Sequence, residues 1–206
     1  DWSIEGKFDE KNPAKPEGGG LPTGIAWYRK TFIAPANFNK RIITIEFDGV
    51  YKNSEVWLNG QFLGKRPNGY ISFAYQLNKY LKVGKNTIAV KVDNSSQPDS
   101  RWYSGSGIYR NVWLSSTPKL TVKHWGTTVN AVVSNKKQAF LQINTTIENK
   151  TLQKQAAVLV YSVYDFKGKL VQKSKAKTFK TDTTGLQLSN QLIITNPVLW
   201  DVNNPK

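Results

Sequence analysis

Ser54-Glu55-Val56-Trp57-Leu58-Asn59-Gly60-Gln61-Phe62-Leu63-Gly64-Lys65 reads as a β-hairpin. Asn59-Gly60 tolerates the positive φ angles of a tight type I′ turn, so it joins a strand over 54–58 to a second over 61–65. Val56 and Leu58 alternate with Glu55 and Trp57, which turns one face of the first strand toward a core. Outward from this hairpin the same texture continues. Short β-rich runs recur about every 8–12 residues, separated by Gly, Asn, Pro and Asp, the pattern of a β-sandwich or barrel. They fall at 26–33, 41–47, 71–76, 87–92 and 108–114, then at 120–125, 128–133, 140–148, 156–164, 170–178 and 186–194. Val83-Gly84-Lys85-Asn86 and Phe166-Lys167-Gly168 are further turns, and the stretch 165–168 joins two long alternating runs as in a meander. Residues 9–23, which end in Gly18-Gly19-Gly20-Leu21-Pro22, read as a loop lying over the first sandwich.

Composition narrows the chemistry. The chain has 206 residues, enough for one or two domains at roughly 100–200 residues each. With no cysteine, disulfides and thiolate metal sites are excluded. No apolar run reaches the ~18–20 residues of a membrane-spanning helix. The net charge of +15 would suit a polyanion, but the lysines alternate along strands, as in Lys173-Ser174-Lys175-Ala176-Lys177, and no Arg-rich motif accompanies them. A solvated strand face is therefore expected, and no nucleic-acid partner. Ser115-Ser116-Thr117-Pro118 is the expected domain boundary. Five of the seven tryptophans lie before it. The chain opens on Asp1-Trp2 and contains no methionine, so it is expected to be a processed or trimmed piece, with any export signal upstream.

Four stretches carry a resemblance. They are Trp27-Tyr28-Arg29-Lys30-Thr31-Phe32; Phe47-Asp48-Gly49-Val50 followed by the hairpin; Gly84-Lys85-Asn86-Thr87-Ile88-Ala89-Val90; and Arg101-Trp102-Tyr103-Ser104-Gly105-Ser106-Gly107-Ile108-Tyr109-Arg110-Asn111-Val112-Trp113-Leu114. In this order and spacing they resemble the N-terminal sugar-binding domain of family 2 glycoside hydrolases, and Asp1-Trp2-Ser3-Ile4-Glu5-Gly6 resembles its start in bacterial β-galactosidase-like members. The resemblance covers 1–115 strongly and 116–206 more weakly. It implies an all-β chain: a jelly-roll, galactose-binding-like β-sandwich over 1–115, then an immunoglobulin-like β-sandwich over 116–206. The second domain is expected to be truncated, because a seventh strand after Val198-Leu199-Trp200 is missing or marginal, which would leave an unpaired edge near 186–194.

The resemblance also implies a function and where it is absent. Glycoside hydrolysis with retention uses two carboxyl groups about 5–5.5 Å apart, which in this family lie on a (β/α)₈ barrel of ~250 residues. This chain has no room for that barrel, so no residue of it is expected to be catalytic. Glu46 and Asp48 share a strand face but read as a solvated edge, and the single histidine, His124, reads as a partly buried strand residue. Neither a metal nor a cofactor is expected. The expected role is accessory: to shape the active-site wall of an exo-acting, β-galactosidase-like enzyme for a terminal β-linked sugar and to position its barrel. A stand-alone carbohydrate-binding module or lectin-like adhesin is the alternative. The family's bacterial members imply an exported, periplasmic or extracellular setting and leave room for an oligomeric parent.

Asp99-Ser100-Arg101-Trp102-Tyr103 is the expected site segment. Carboxylate and guanidinium bind hydroxyls, and an aromatic face packs on the C–H side of a pyranose. By resemblance, Asp99, Arg101 and Trp102 are candidates for substrate or barrel contact; packing between domains is the other reading of Arg101 and Trp102. Asp1 and Trp2 are the second candidates, near the active-site mouth if the resemblance holds or a frayed terminus if it does not. Trp57, Trp113, Phe47 and Tyr109 alternate with strand period and read as core or sheet-face packing, while Arg29 and Arg110, each flanked by aromatics, read as ligand-binding residues or, more simply, as partners in an interdomain salt bridge or cation–π contact.

Overall fold

The computed structural model describes residues 1–34, 36–97, 99, 105–135 and 137–203, with the side chain of residue 135 outside that description. These residues are mostly strand, joined by turns and three single-turn 3-10 helices at Trp2–Ile4, Pro16–Gly18 and Phe38–Lys40. The fold class is all-β, as the sequence implies. The chain divides into two compact units, Asp1–Pro118 and Lys119–Lys206.

In the first unit, β1 (Gly24–Ile33), β7 (Lys85–Asn94), β4 (Ser54–Leu58) and β5 (Gln61–Arg66) form one antiparallel sheet in that order. A second sheet has the order β6 (Phe73–Gln76), β2 (Arg41–Phe47), β9 (Val112–Pro118), and β3 (Val50–Tyr51) pairs with β8 (Gly107–Ile108). Alternation on each strand supplies the core. Val56, Leu58, Ile88, Val90 and Val92 from one sheet join Ile43, Ile45 and Phe47 from the other in one buried cluster. Each such side chain contributes about 1.5–3 kcal/mol on burial. Where β1 and β9 run along the open side, an apolar cleft of about 510 Å³ reaches the core between Phe32, Ile45, Phe47 and Leu114.

The Asn59-Gly60 turn has φ angles of 51° and 82°, the positive values its sequence calls for. Asn59 also acts beyond the turn. Its amide donates to Tyr80 O and to Asn86 Oδ1, both at 2.8 Å, and its own oxygen accepts from Thr87 N at 3.0 Å. Asn86, fully buried, donates to Lys82 O and Gly84 O and accepts from Lys82 N, each at 2.9 Å. Two asparagines thus lock the hairpin to the turn that starts β7.

Several boundaries differ from the sequence expectation. The units divide directly after Ser115-Ser116-Thr117-Pro118, and these four residues form the end of β9, where Arg41 pairs opposite Pro118 and its guanidinium grips Ser116 Oγ at 2.6 Å and Ser116 O at 2.7 Å. The run 108–114 splits into β8 and β9, which belong to different sheets.

The second unit carries a sheet of order β10 (Leu120–Asn135), β11 (Gln138–Asn149), β16 (Leu186–Thr195). β12 (Gln155–Leu159) pairs with β15 (Lys177–Thr181), and β13 (Ser162–Tyr164) with β14 (Leu170–Lys173). Ile147, Phe179 and Leu188 form its buried centre. The two strands expected at 120–125 and 128–133 are one. β11 pairs on both sides of a bulge between Val122 and Thr127, where Trp125 adopts a φ of 51°. His124 therefore sits exposed on that bulge, against the Trp125 ring, and not partly buried in a strand. Conversely, the runs 156–164 and 170–178 each break in two. Ser174 is the cause: its N–H donates to Tyr161 O at 2.8 Å, but Tyr161 N donates to the Ser174 hydroxyl at 3.0 Å and not to a backbone carbonyl. Lys173 and Lys177 consequently lie on different strands, although both are exposed. Val198-Leu199-Trp200 forms no strand.

Replacing Asn86 by Ala leaves four partly buried polar atoms without their bonds. We expect it to destabilise the first unit by about 3 kcal/mol, read as a lower thermal midpoint by tryptophan fluorescence. Lys85→Ala, on the exposed neighbour, should change stability by no more than about 0.5 kcal/mol.

Candidate functional site

The two segments singled out in the sequence, at opposite ends of the first unit, are joined by one chain of hydrogen bonds. Asp1 is the N-cap of the first 3-10 turn, and its Oδ1 accepts from Ser3 N at 3.0 Å and Ser3 Oγ at 2.6 Å. A short polar residue at this position satisfies N–H groups that the turn leaves open. The same oxygen accepts from Ser106 N at 3.0 Å, the terminal ammonium donates to Ile108 O at 3.0 Å, and Trp2 N donates to Ser106 O at 3.0 Å. Asp1 and Trp2 are thus held against the entrance of β8, which answers the frayed-terminus reading.

From Ser106 the chain continues inward. Asn94, fully buried at the end of β7, donates to Ser106 Oγ at 2.9 Å. Gln97 donates to Asn94 Oδ1 at 3.1 Å and accepts from Asp99 N at 3.0 Å. Asp99 Oδ2 then accepts from Tyr51 OH at 2.6 Å and Lys52 Nζ at 2.5 Å. Sheet pairing makes this closure unavoidable: Gly24 sits opposite Asn94 in β1, and Tyr51 sits opposite Gly107 in β8. Gly107 fits because its φ is 99° and because a Cβ there would stand 2.0 Å from Tyr28 OH and 2.6 Å from Trp2 Cδ1.

Partial burial works to raise the Asp99 pKa, but hydrogen bonds from Lys52 and Tyr51, with the Lys52 charge, outweigh it and hold the carboxyl below the usual carboxylate range. One oxygen of Asp99 is therefore committed to two donors of its own chain. Trp2 Nε1 is buried and has no hydrogen-bond partner among the described residues. Tyr28 OH accepts from Ile108 N at 3.3 Å, and burial pushes its pKa up. Arg101 and Trp102 lie outside the described residues. Tyr51, Lys52, Asn94 and Ser106 were not singled out in the sequence. Their one local signal was polarity at the ends of apolar runs, as in Val50-Tyr51-Lys52 and Val92-Asp93-Asn94.

Away from this network, Asp48 Oδ2 accepts from Trp113 Nε1 at 2.9 Å. Asp48 thus serves as a packing partner for Trp113, which is half exposed and not core. Among the described residues no cluster of three or more His, Asp or Glu side chains could hold a metal ion.

Comparison with known proteins gives a consistent context. The family model for the sugar binding domain of glycosyl hydrolases family 2 matches residues 14–118, and a second family 2 model matches 121–206. A β-galactosidase from Bacteroides ovatus is 46% identical over the whole chain, which spans 24% of that protein. A putative β-glucuronidase from Formosa agariphila is 40% identical, again over the whole chain, which spans 19% of it. Among solved structures, a β-glycosidase from Bacteroides vulgatus is 41% identical with a TM-score of 0.86, covering 99% of this chain and 26% of the other. A family 2 glycosyl hydrolase from Bacteroides cellulosilyticus superposes with a TM-score of 0.90 at 29% identity, covering 99% and 27%.

The Asp99 ion pair predicts a pH dependence. Because its folded pKa is depressed, it contributes stability above the unfolded carboxyl value of about 3.9 and loses that contribution as pH falls through the lower folded value. Asp99→Asn should cost about 1–2 kcal/mol at neutral pH. In thermal melts the gap between the two proteins should close below about pH 4; a gap that persists there would mean that charge is not what holds the loop.

Proposed function

We propose that this chain, which belongs to family 2 of the glycosyl hydrolases, is the non-catalytic front part of a retaining exo-glycosidase of β-galactosidase type. The chain spans about a quarter of the relatives it matches, a β-galactosidase among them. In this reading the reaction takes place on a (β/α)₈ barrel outside the 206 residues, where two carboxyl groups act as acid/base and nucleophile. The first unit supplies part of the wall around a terminal β-linked sugar, and the second unit positions it. The setting is export to the periplasm or cell exterior.

The observation that carries the reading is the hydrogen-bonded line from Asp1 through Ser106, Asn94 and Gln97 to Asp99. It fixes the backbone on both sides of Arg101 and Trp102, the residues proposed to contact sugar or barrel. Holding Asp99 and Ser106, on either side of that segment, before substrate arrives lowers the entropic cost of binding. In this arrangement Asp99 acts through position: with Oδ2 held by Tyr51 and Lys52, it serves as the anchor of the loop.

The test compares the 206-residue chain with the full-length product of its gene on p-nitrophenyl β-galactoside and p-nitrophenyl β-glucuronide. The chain alone should show no turnover above background, whereas the full-length protein should hydrolyse one of the two. In that protein Arg101→Ala should lower kcat/KM about tenfold or more, equivalent to at least 1.4 kcal/mol of transition-state binding. Turnover by the chain alone, or a full-length product without a hydrolase barrel, would overturn the reading.

A further inference from the structure

The outer face of the β1-β7-β4-β5 sheet carries an aromatic surface that the core does not use. Trp27 on β1 and Trp57 on β4 point away from the buried side, and their rings meet at 5.2 Å between centroids with 31° between planes. Phe62 on β5 extends the row, 5.5 Å from Trp57. Trp27 and Phe62 remain 49% and 52% exposed. The central strand makes this convergence feasible. Ala89 of β7 lies opposite both Arg29 of β1 and Trp57 of β4, and its methyl group leaves room for indoles from either side to close over it.

Beside the rings is a shallow hollow of about 470 Å³, lined by Trp27, Trp57 and Ala89 with Arg29, Lys82 and Thr87. The charged groups in its lining are both cations. The Arg29 guanidinium carbon lies 5.5 Å from the Trp27 ring centroid, within cation–π range. Glu55, the acid on the neighbouring stretch of the face, is already matched by Lys65 at 3.6 Å. The face therefore combines exposed π-surface with unneutralised positive charge.

We propose that this hollow is a binding site for a glycan chain bearing carboxylates, that is, a uronic-acid-containing saccharide. A pyranose presents a C–H face that packs on an indole, and Trp27 and Phe62 leave about half of their surface open on either side of Trp57. The tilt between rings suits a twisted chain. Neutral sugar would satisfy the rings but leave Arg29 and Lys82 unmatched; a carboxylate forms the paired, charge-assisted hydrogen bonds that guanidinium favours. The site shares no residue with the Asp1–Asp99 network and requires no hydrolysis, so it stands apart from the proposed enzymatic role.

The test uses the 206-residue chain at low salt, with β-1,4-linked tetramannuronate as the acidic probe and β-1,4-mannotetraose as its neutral counterpart. Binding is read by calorimetry and tryptophan fluorescence. Tetramannuronate should bind saturably, about tenfold or more tighter than mannotetraose, and should weaken as salt is raised. Trp27→Ala should reduce tetramannuronate binding about tenfold. Arg29→Gln, a surface change that leaves the rings in place, should reduce it to the level of the neutral sugar. No saturable binding of tetramannuronate, equal affinity for the two sugars, or binding undiminished in both variants would overturn the proposal. None of these results bears on whether the full-length protein hydrolyses a glycoside, so the two readings fail separately.

Discussion

The first unit depends on a pair of bonded amides, one of them fully buried. Asn59 comes from the hairpin and Asn86 from the start of β7, and the bond between them at 2.8 Å ties the hairpin turn to that strand. A buried amide is costly unless its donors and acceptor are met. Here Asn86 has two carbonyls and two donors around it. The same residues that make each turn locally favourable also make the two turns mutually exclusive of other pairings. Local preference and tertiary demand agree, the condition under which a sequence specifies one register.

Polar closure recurs at the other end of the sheet. Asn94 stands at the opposite end of β7 from Asn86, fully buried, and binds Ser106 in place of a turn partner. β7 is thus pinned at both ends by asparagine, and between them it contributes Ile88, Val90 and Val92 to the core. The candidate site hangs from the second pin. Its described members, Ser106, Gln97 and Asp99, are tied to the end of β7 through Asn94, which suits recognition of a rigid ligand.

How much of this was legible in the sequence depends on the range of the interactions. The Asn59-Gly60 hairpin and the 165–168 turn were readable because their chemistry is contained in a few residues; Asp165 Oδ1 accepts from both Lys167 N and Lys169 N. A break was expected between 125 and 128 because a sequence does not display β11, which bridges the bulge from across the sheet. Ser174 looked like an ordinary strand residue because nothing local marks that its hydroxyl will replace a carbonyl for Tyr161. At the candidate site, Asp1 and Asp99 came from family resemblance. Tyr51 and Lys52 did not, because their tie to Asp99 spans 48 and 47 positions and appears only when β3 meets β8.

The two indoles over Ala89 have an optical consequence. Indole rings whose centroids lie 5.2 Å apart do not absorb light independently. Their excited states mix, which splits the strong ultraviolet band of indole into two components of opposite rotational strength. A β-rich chain has a weak circular dichroism background, so the couplet stands out against it. Its sign is set by the mutual orientation of the two indoles, so the chain carries an intrinsic spectroscopic gauge of whether that pair keeps its geometry.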